Sequence, residues 1–480
     1  METLRSEKMA VMPVKKLLIS MSLPAIFSML VQAVYNIVDS LYLAHFSIKA
    51  IDATSIVFPI QMLVISVGIG IGVGTNVYIS KSLGEGKRGR ASFAAQNGLF
   101  IAVLAVVLAV ILGFTIVKPF VRAYTKDAET FDMAVSYLSI CMIFSFGVLV
   151  ELTSSKILQA TGNMKIPMFT QLIGAITNII LDPFFIFGIG VFPRLGAKGA
   201  AIATVIGQFL ALFFSLSMLI FRKQDVHILR KGFYPSPSYI WRILKIGLPS
   251  MLISALPAFT TITVNSFIKA FPYAITVLGV YFKLQSFVFM PIFGLTQGGL
   301  PILSYNYGSG SRGRFLATFR FMVTLAIGFM ALGVIIFQSI PNYLMTMFGH
   351  DAEFVRVGTY AMRIISICFI LAAVGISITT MMQSLGRGFT SLLITLSRQL
   401  IIIPSAYVLA KYTQTTGVWF AYPIAEFFTT SVFLPISIHV YKKEFTKRQA
   451  FLEEMRAKQS EDVPVPESAA EQTAEASQNG

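Results

Sequence analysis

Charge is scarce in this sequence. Asp, Glu, Lys and Arg make up 12% of 480 residues, about half the share of a soluble domain, which excludes an ordinary water-soluble globular protein. Cysteine is rarer still. Cys141 and Cys368 are the only two and both lie inside apolar runs, so neither a disulfide framework nor a thiolate metal site is on offer. Histidine is equally thin. His45, His227, His350 and His439 are scattered near the ends of apolar runs, and no His cluster, HExxH or Ser-Lys pair sits within them, which argues against a membrane-embedded enzyme. The Gly84-Glu-Gly-Lys-Arg-Gly-Arg90 loop lacks a Walker lysine followed by Ser or Thr. Gly68, Gly70, Gly72 and Gly74 have no preceding strand, so close helix packing or a flexible helix end explains them better than a dinucleotide.

What is abundant is apolar length. The chain is 55% hydrophobic with mean hydropathy +0.74, and apolar runs of twenty or more residues recur along it, the pattern of transmembrane helices. The fold class expected is an all-α polytopic membrane protein with twelve spans, at about 17–45, 52–80, 93–121, 133–158, 166–188, 199–221, 240–268, 275–304, 316–340, 357–384, 390–410 and 417–440. The polar start (Arg5, Lys8, Lys15, Lys16) leads into a stretch too long for a signal-peptide core, so that stretch is expected to remain as the first span. The net charge of +16 does not indicate nucleic acid, because the basic residues lie in short loops rather than on one face. Placing the N-terminus inside puts about 26 of the 38 Lys and Arg on inner segments and about 10 on outer ones. Both termini are therefore expected in the cytoplasm. Inner basic residues include Lys81, Lys87, Arg88, Arg90, Arg222, Lys223, Arg230, Lys231, Arg312, Arg314 and Arg320. The expected organisation is a cytoplasmic start (1–16), an N-lobe (17–221), a linker (222–239), a C-lobe (240–441) and a disordered cytoplasmic tail (442–480), acidic from Gln459.

A shift of 224 residues superposes the halves. Phe58, Gln61, Gly70, Gly74 and Ser80 meet Phe282, Gln285, Gly294, Gly298 and Ser304; Gly84 to Arg90 meets Gly308 to Arg314; Gln159 and Gly162 meet Gln383 and Gly386. Six spans per repeat is even, so the two lobes cross the membrane in the same sense, related by an axis along the membrane normal.

Within this apolar chain, Asn178 and Asp182 stand four residues apart on one helix face, just before Pro183, which withholds a backbone donor. A charge at the bilayer centre costs about 2.5 to 3.5 kcal/mol, which marks an intramembrane Asp as a functional candidate. The alternative is a structural polar pair buried between helices. Other embedded charges have similar alternatives. Glu151 could join the N-lobe network, face a substrate cavity, or be a buried structural acid paired with Lys156. Arg398 and Glu426, in neighbouring spans, are expected to neutralise each other as a structural charge pair. Lys283 stands where the first repeat has Pro59, and could snorkel or meet a carboxylate.

The chain resembles the multidrug and toxic compound extrusion (MATE) family of the MOP superfamily over about residues 13 to 440. The segments that carry the resemblance are Pro24 with Gln32-Ala-Val-Tyr35-Asn36-Ile-Val-Asp39-Ser-Leu-Tyr42, the Gly84 loop, Gln159-Ala-Thr-Gly162-Asn163, Asn178 to Pro183, and Gly196-Ala-Lys-Gly199-Ala-Ala-Ile-Ala-Thr204. The pattern is most similar to the DinF-like branch. The resemblance implies a two-lobed exporter in the plasma membrane, exchanging H+ or Na+ for small organic, mostly cationic, compounds. It implies a coupling-ion site of Asp39, Asn178, Asp182 and Thr204, and no cofactor or metal beyond the coupling ion. The NorM-like branch also uses acids on the seventh and tenth helices; this sequence has none there. Two carboxylates facing one another in a poorly solvated lobe cannot both stay ionised cheaply, so one is expected to take up a proton; the same oxygens could hold a hard cation. Candidates for the substrate cavity are Tyr35, Asn36, Glu151, Gln285 and Met290. A monomer in the bilayer, with no nucleic-acid partner, is expected. The rival within the superfamily is a flippase for a lipid-linked oligosaccharide, which would need a cationic cavity; Lys283 and Arg398 are its support.

Overall fold

The computed structural model describes residues 6–222, 225–228 and 233–461. Arg5, Lys223, Arg230, Lys231 and the tail beyond Glu461 lie outside the described residues. The first half runs α1 (Glu7–Val11), α2 (Val14–Phe46), α3 (Ile48–Gly84), α4 (Arg88–Thr115), α5 (Val117–Tyr124), α6 (Ala128–Ile143), α7 (Phe146–Ala160), α8 (Lys165–Phe187) and α9 (Ala197–Phe221). The second runs α10 (Pro237–Ile268), α11 (Ala274–Gly308), α12 (Arg312–Ser339), α13 (Pro341–Thr346), α14 (Ala352–Ser366), α15 (Phe369–Ser384), α16 (Gly388–Val418) and α17 (Ala421–Glu461). Among the described residues ten helices are each long and apolar enough to cross a membrane, and two bent pairs bring the total to twelve if each pair is one span.

The repeat seen in the sequence is a repeat of helices. A shift of 224 residues carries α4 onto α12 end for end, and the first residue of α6 onto the first of α14. Asp127 and Asp351, also 224 apart, cap these last two helices. Asp127 accepts the Thr130 N–H at 2.9 Å, and Asp351 those of Glu353 and Phe354 at 2.9 and 3.0 Å. These backbone bonds hold both carboxyls below the usual carboxylate range. The stabilisation they give is full above about pH 4 and is lost as pH falls through the lowered pKa.

The fourth and tenth spans, expected as single helices over 133–158 and 357–384, are each broken. α6 meets α7 at 46° and α14 meets α15 at 49°. The cause is local. Ser145 and Gly147 N–H bond to Met142 and Phe144 carbonyls, and Ile367 and Cys368 N–H to Ile364 and Ile365, three residues back rather than four. Such tightened turns redirect a helix without changing its hydropathy.

The last helix also corrects the sequence reading. The tail expected to be disordered from 442 continues as helix to Glu461. Phe445 is fully buried and its ring lies 4.9 Å from that of Phe315. Glu444 accepts from the Tyr307 hydroxyl at 3.1 Å and pairs with Arg387. Arg448 pairs with Glu85 at 3.1 Å and donates to the Gly308 carbonyl. The charges that made this stretch read as soluble are partners for buried groups on the face that carries the N-terminus.

The halves meet through glycine. On α3, Gly68 and Gly72 face Leu152 and Lys156 of α7, whereas Gly70 and Gly74 face Gly247 and Ile243 of α10. Their repeat mates Gly294 and Gly298 on α11 receive Ile26 and Ser22 of α2, and Ser22 Oγ donates to the Leu295 carbonyl at 3.2 Å. Near the N-terminal face α3 and α11 cross each other reciprocally. A Cβ on Gly84 would overlap the Tyr305 carbonyl, and a Cβ on Gly308 the Lys81 carbonyl. Glycine is needed at both because backbone, which cannot rotate aside, occupies the space. Gly84→Ala or Gly308→Ala is therefore expected to hold the lobes apart at this face and reduce transport by about tenfold or more. Gly313→Ala, where nothing lies within 4 Å of the added carbon, is the control; equal transport in all three variants would refute the crossing's importance.

Candidate functional site

The N-terminal half of α2 belongs to α11. Its C-terminal half turns to α8 instead and brings the Asp39 carboxyl beside that of Asp182. A hydrogen bond between them needs one to carry a proton, since two carboxylates offer only acceptors. Asp182 is fully buried and Asn178 is 2% exposed. The Asn178 amide is satisfied at both ends in one orientation. Its nitrogen donates to Asp182 Oδ2 at 2.7 Å, while its oxygen accepts from Thr204 Oγ1 at 3.0 Å and Thr204 N at 3.1 Å. Thr204 thus ties α9 to α8.

Four residues from three distant stretches of chain form one cluster here, and Tyr35 joins them. Placed among the substrate-cavity candidates by sequence, Tyr35 lies one turn before Asp39 and sits beside Thr204 and both acids. Tyr137 and Cys141 on α6 complete the wall next to Asp39. Gln61 of α3 donates to the Tyr137 hydroxyl at 3.5 Å. Sequence reasoning passed over Tyr137; its one signal was the i, i+4 spacing with Cys141. One oxygen of each acid, Oδ1 of Asp39 and of Asp182, is buried with no hydrogen-bond partner. Unused carboxyl oxygens in a dry lobe fit a site that exchanges a proton or small cation, the oxygen-rich chemistry hard ions require. No cluster of three or more His, Cys, Asp or Glu capable of holding a metal occurs among the described residues.

The remaining candidates scatter. Asn36 is exposed on the C-terminal half of α2, and Met290 is half-buried on α11. Gln285, also half-buried, lies half a turn round α11 from Gly294. Glu151 is 6% exposed and accepts from Ser155 Oγ at 2.6 Å. The alternative pairing of Glu151 with Lys156 is not made: Lys156 Nζ donates instead to Gln159 and Gln297 Oε1, at 3.0 and 2.9 Å. Five residues along a helix is a 140° turn, too far round for the two to meet. Arg398 Nε stands 2.9 Å from Glu426 Oε1, both largely buried in the C-lobe.

Two repeated lobes of membrane-spanning helices, with a buried acid pair in one, define a helical membrane transporter of the two-lobed class. The MatE family model matches residues 24–184 and 246–408, one segment in each lobe, and the chain belongs to the MatE family. Among its relatives are the multidrug export protein MepA of Staphylococcus aureus and that of Staphylococcus haemolyticus. The first is 26% identical over 419 residues, 86% of this chain and 91% of the relative. The second is 27% identical over 427 residues, 88% and 92%. Solved structures share the fold at lower identity. An outward-facing multidrug resistance MATE transporter aligns at TM-score 0.85 and 22% identity, covering 92% of this chain and 98% of that one. A MOP superfamily transporter from Pyrococcus furiosus aligns at 0.86 and 22%, covering 94% and 100%.

Proposed function

We propose that the chain is a secondary active multidrug exporter, moving organic compounds outward in exchange for H+ or Na+ bound at Asp39, Asn178, Asp182 and Thr204. The observation that carries this reading is the juxtaposition of the Asp39 and Asp182 carboxyls, each with one buried oxygen that has no hydrogen-bond partner. Asp39 rides on a helix whose inner half is packed on the other lobe and whose outer half is packed on its own. Loading the acids therefore bears on how α2 sits between the lobes, and a change at one site can reset the other. The relatives named as multidrug export proteins support the substrate class.

In this reading the N-lobe (17–221) and C-lobe (240–441) rock as halves about the linker, the N-terminal face is cytoplasmic, the chain works as a monomer in the plasma membrane, and no covalent step occurs. The ion binds when the cavity faces outward and leaves when it faces inward. The flippase alternative is weakened because Arg398, one of its two cations, is held by Glu426. Proteoliposomes loaded with a cationic dye, under proton and sodium gradients imposed separately, test the proposal. Dye movement driven by one gradient is expected; movement under neither would overturn it.

A further inference from the structure

α11 presents one stripe in two settings. Residues 276, 283, 287, 290, 294 and 298 fall within about 80° of one another round the helix. At the inner end Gly294 and Gly298 are buried against Ile26 and Ser22 of α2. Further out α2 leaves for α8, and the stripe is uncovered: Met290 is half-buried, and Phe287, Lys283 and Thr276 are exposed. The uncovered residues therefore face the wedge between the lobes, whose opposite wall carries the exposed Asn36 and Ser40 of α2. A lipid-facing residue would lie on the far side of α11 from α2.

Lys283 is the basic side chain on this stripe. It stands nine residues into α11, about 14 Å from the helix end. Its ammonium has no hydrogen-bond or ion-pair partner among the described residues. Its neighbours on the stripe, Phe287 and Met290, are apolar and adaptable. The repeat mate on α3 is Pro59, so the N-lobe wall offers no ammonium at the matching place. An unpaired ammonium beside apolar side chains attracts an anionic group and repels a cation.

From this placement we infer that Lys283 is a specificity-determining residue in the central cavity, one that receives the carboxylate of carboxylate-bearing organic substrates. The inference rests on the export reading and sharpens its substrate class: aromatic compounds carrying an acid group, zwitterions included, are taken in preference to matched compounds with a net positive charge. The aromatic body lies against Phe287 and Met290 while the carboxylate meets the ammonium.

The test uses two dyes that differ in one group, rhodamine 110 with a free carboxylate and rhodamine 123, its methyl ester, in proteoliposomes of the full chain. The wild type is expected to carry both. In Lys283→Gln the KM for the free acid is expected to rise about tenfold, the effect of one charged hydrogen bond, while that for the ester stays within about twofold or falls. Lys283→Arg is expected to keep the acid. Equal losses for both dyes in Lys283→Gln, or no change for either, would overturn the inference and leave the export reading standing. Wild-type transport of the ester alone would do the same, and transport of neither dye would overturn both. Orientation is checked separately: Lys283→Cys, with Cys141 and Cys368 replaced by Ala, is expected to react with a membrane-impermeant thiol reagent and to be protected by rhodamine 110. No reaction would mean that the side chain faces lipid.

Discussion

Asp39→Asn and Asp182→Asn are each expected to abolish ion-driven efflux while the protein still inserts and folds. Asparagine has the shape of aspartate and keeps a hydrogen bond across the pair, so packing round Tyr35, Asn178 and Thr204 survives. What is lost is the ability to gain and release a proton or to hold a cation. Moving one charge through 100 mV is worth about 2.3 kcal/mol, and at about 1.4 kcal/mol per tenfold that sustains a substrate gradient of roughly forty-fold. Without a titrating pair this drive is absent. Exchange of labelled for unlabelled substrate down no net gradient needs only the cavity and the rocking lobes, and is expected to persist in both variants. Thr204→Ala removes one support of the Asn178 amide and is expected to weaken coupling without removing it. The measurement is dye uptake against its gradient in proteoliposomes, beside counterflow in the same vesicles. Full uphill transport in both Asn variants would show that the pair is structural.

Much of this arrangement was legible in the chain because the information is local or repeated. The i, i+4 spacing of Asn178 and Asp182 places them on one face whatever the tertiary fold. The shift of 224 residues forecast two alike lobes, and the structure keeps that register down to the capping aspartates. Alternation of Gly68, Gly70, Gly72 and Gly74 announced close packing, though not that even steps of two serve α7 and α10 in turn. The meeting of Asp39 with Asp182, 143 positions away, came only through resemblance. What stayed hidden depends on long-range partners or on single hydrogen bonds. The breaks after Ile143 and Ser366 change four bonds and no hydropathy. The charged stretch after Lys443 reads as solvated until Glu85, Arg387 and Tyr307 arrive from elsewhere to neutralise it. Tyr137 could not be told from any other buried aromatic, because its neighbours Asp39 and Gln61 lie on other helices.

Removing one half of the Arg398–Glu426 pair is expected to cost about 3 to 5 kcal/mol, because the partner is left as a charge in a low-dielectric lobe. The side chains are 17% and 9% exposed, so water cannot take the place of the missing ion. The pair is also poorly supported. Arg398 Nε and Glu426 Oε2 lack hydrogen-bond partners of good geometry, and the hydroxyls of Tyr281, Tyr422, Thr429 and Thr430 are likewise unpartnered. Gly375 leaves room for the guanidinium, with Arg398 Nη2 2.8 Å from where its Cβ would stand. A pair held mainly by mutual neutralisation has little net stability of its own, and replacing both members by apolar residues of similar volume is often neutral or stabilising. Arg398→Met and Glu426→Leu are therefore each expected to lower the unfolding midpoint in detergent sharply. The double variant is expected to return to within about 1 kcal/mol of the parent, a strongly non-additive cycle. If the double variant is stable but carries no substrate, the charges act in transport and the structural assignment fails. If it is stable and active, the C-lobe holds these ions as a matched pair, and coupling belongs to Asp39 and Asp182 alone.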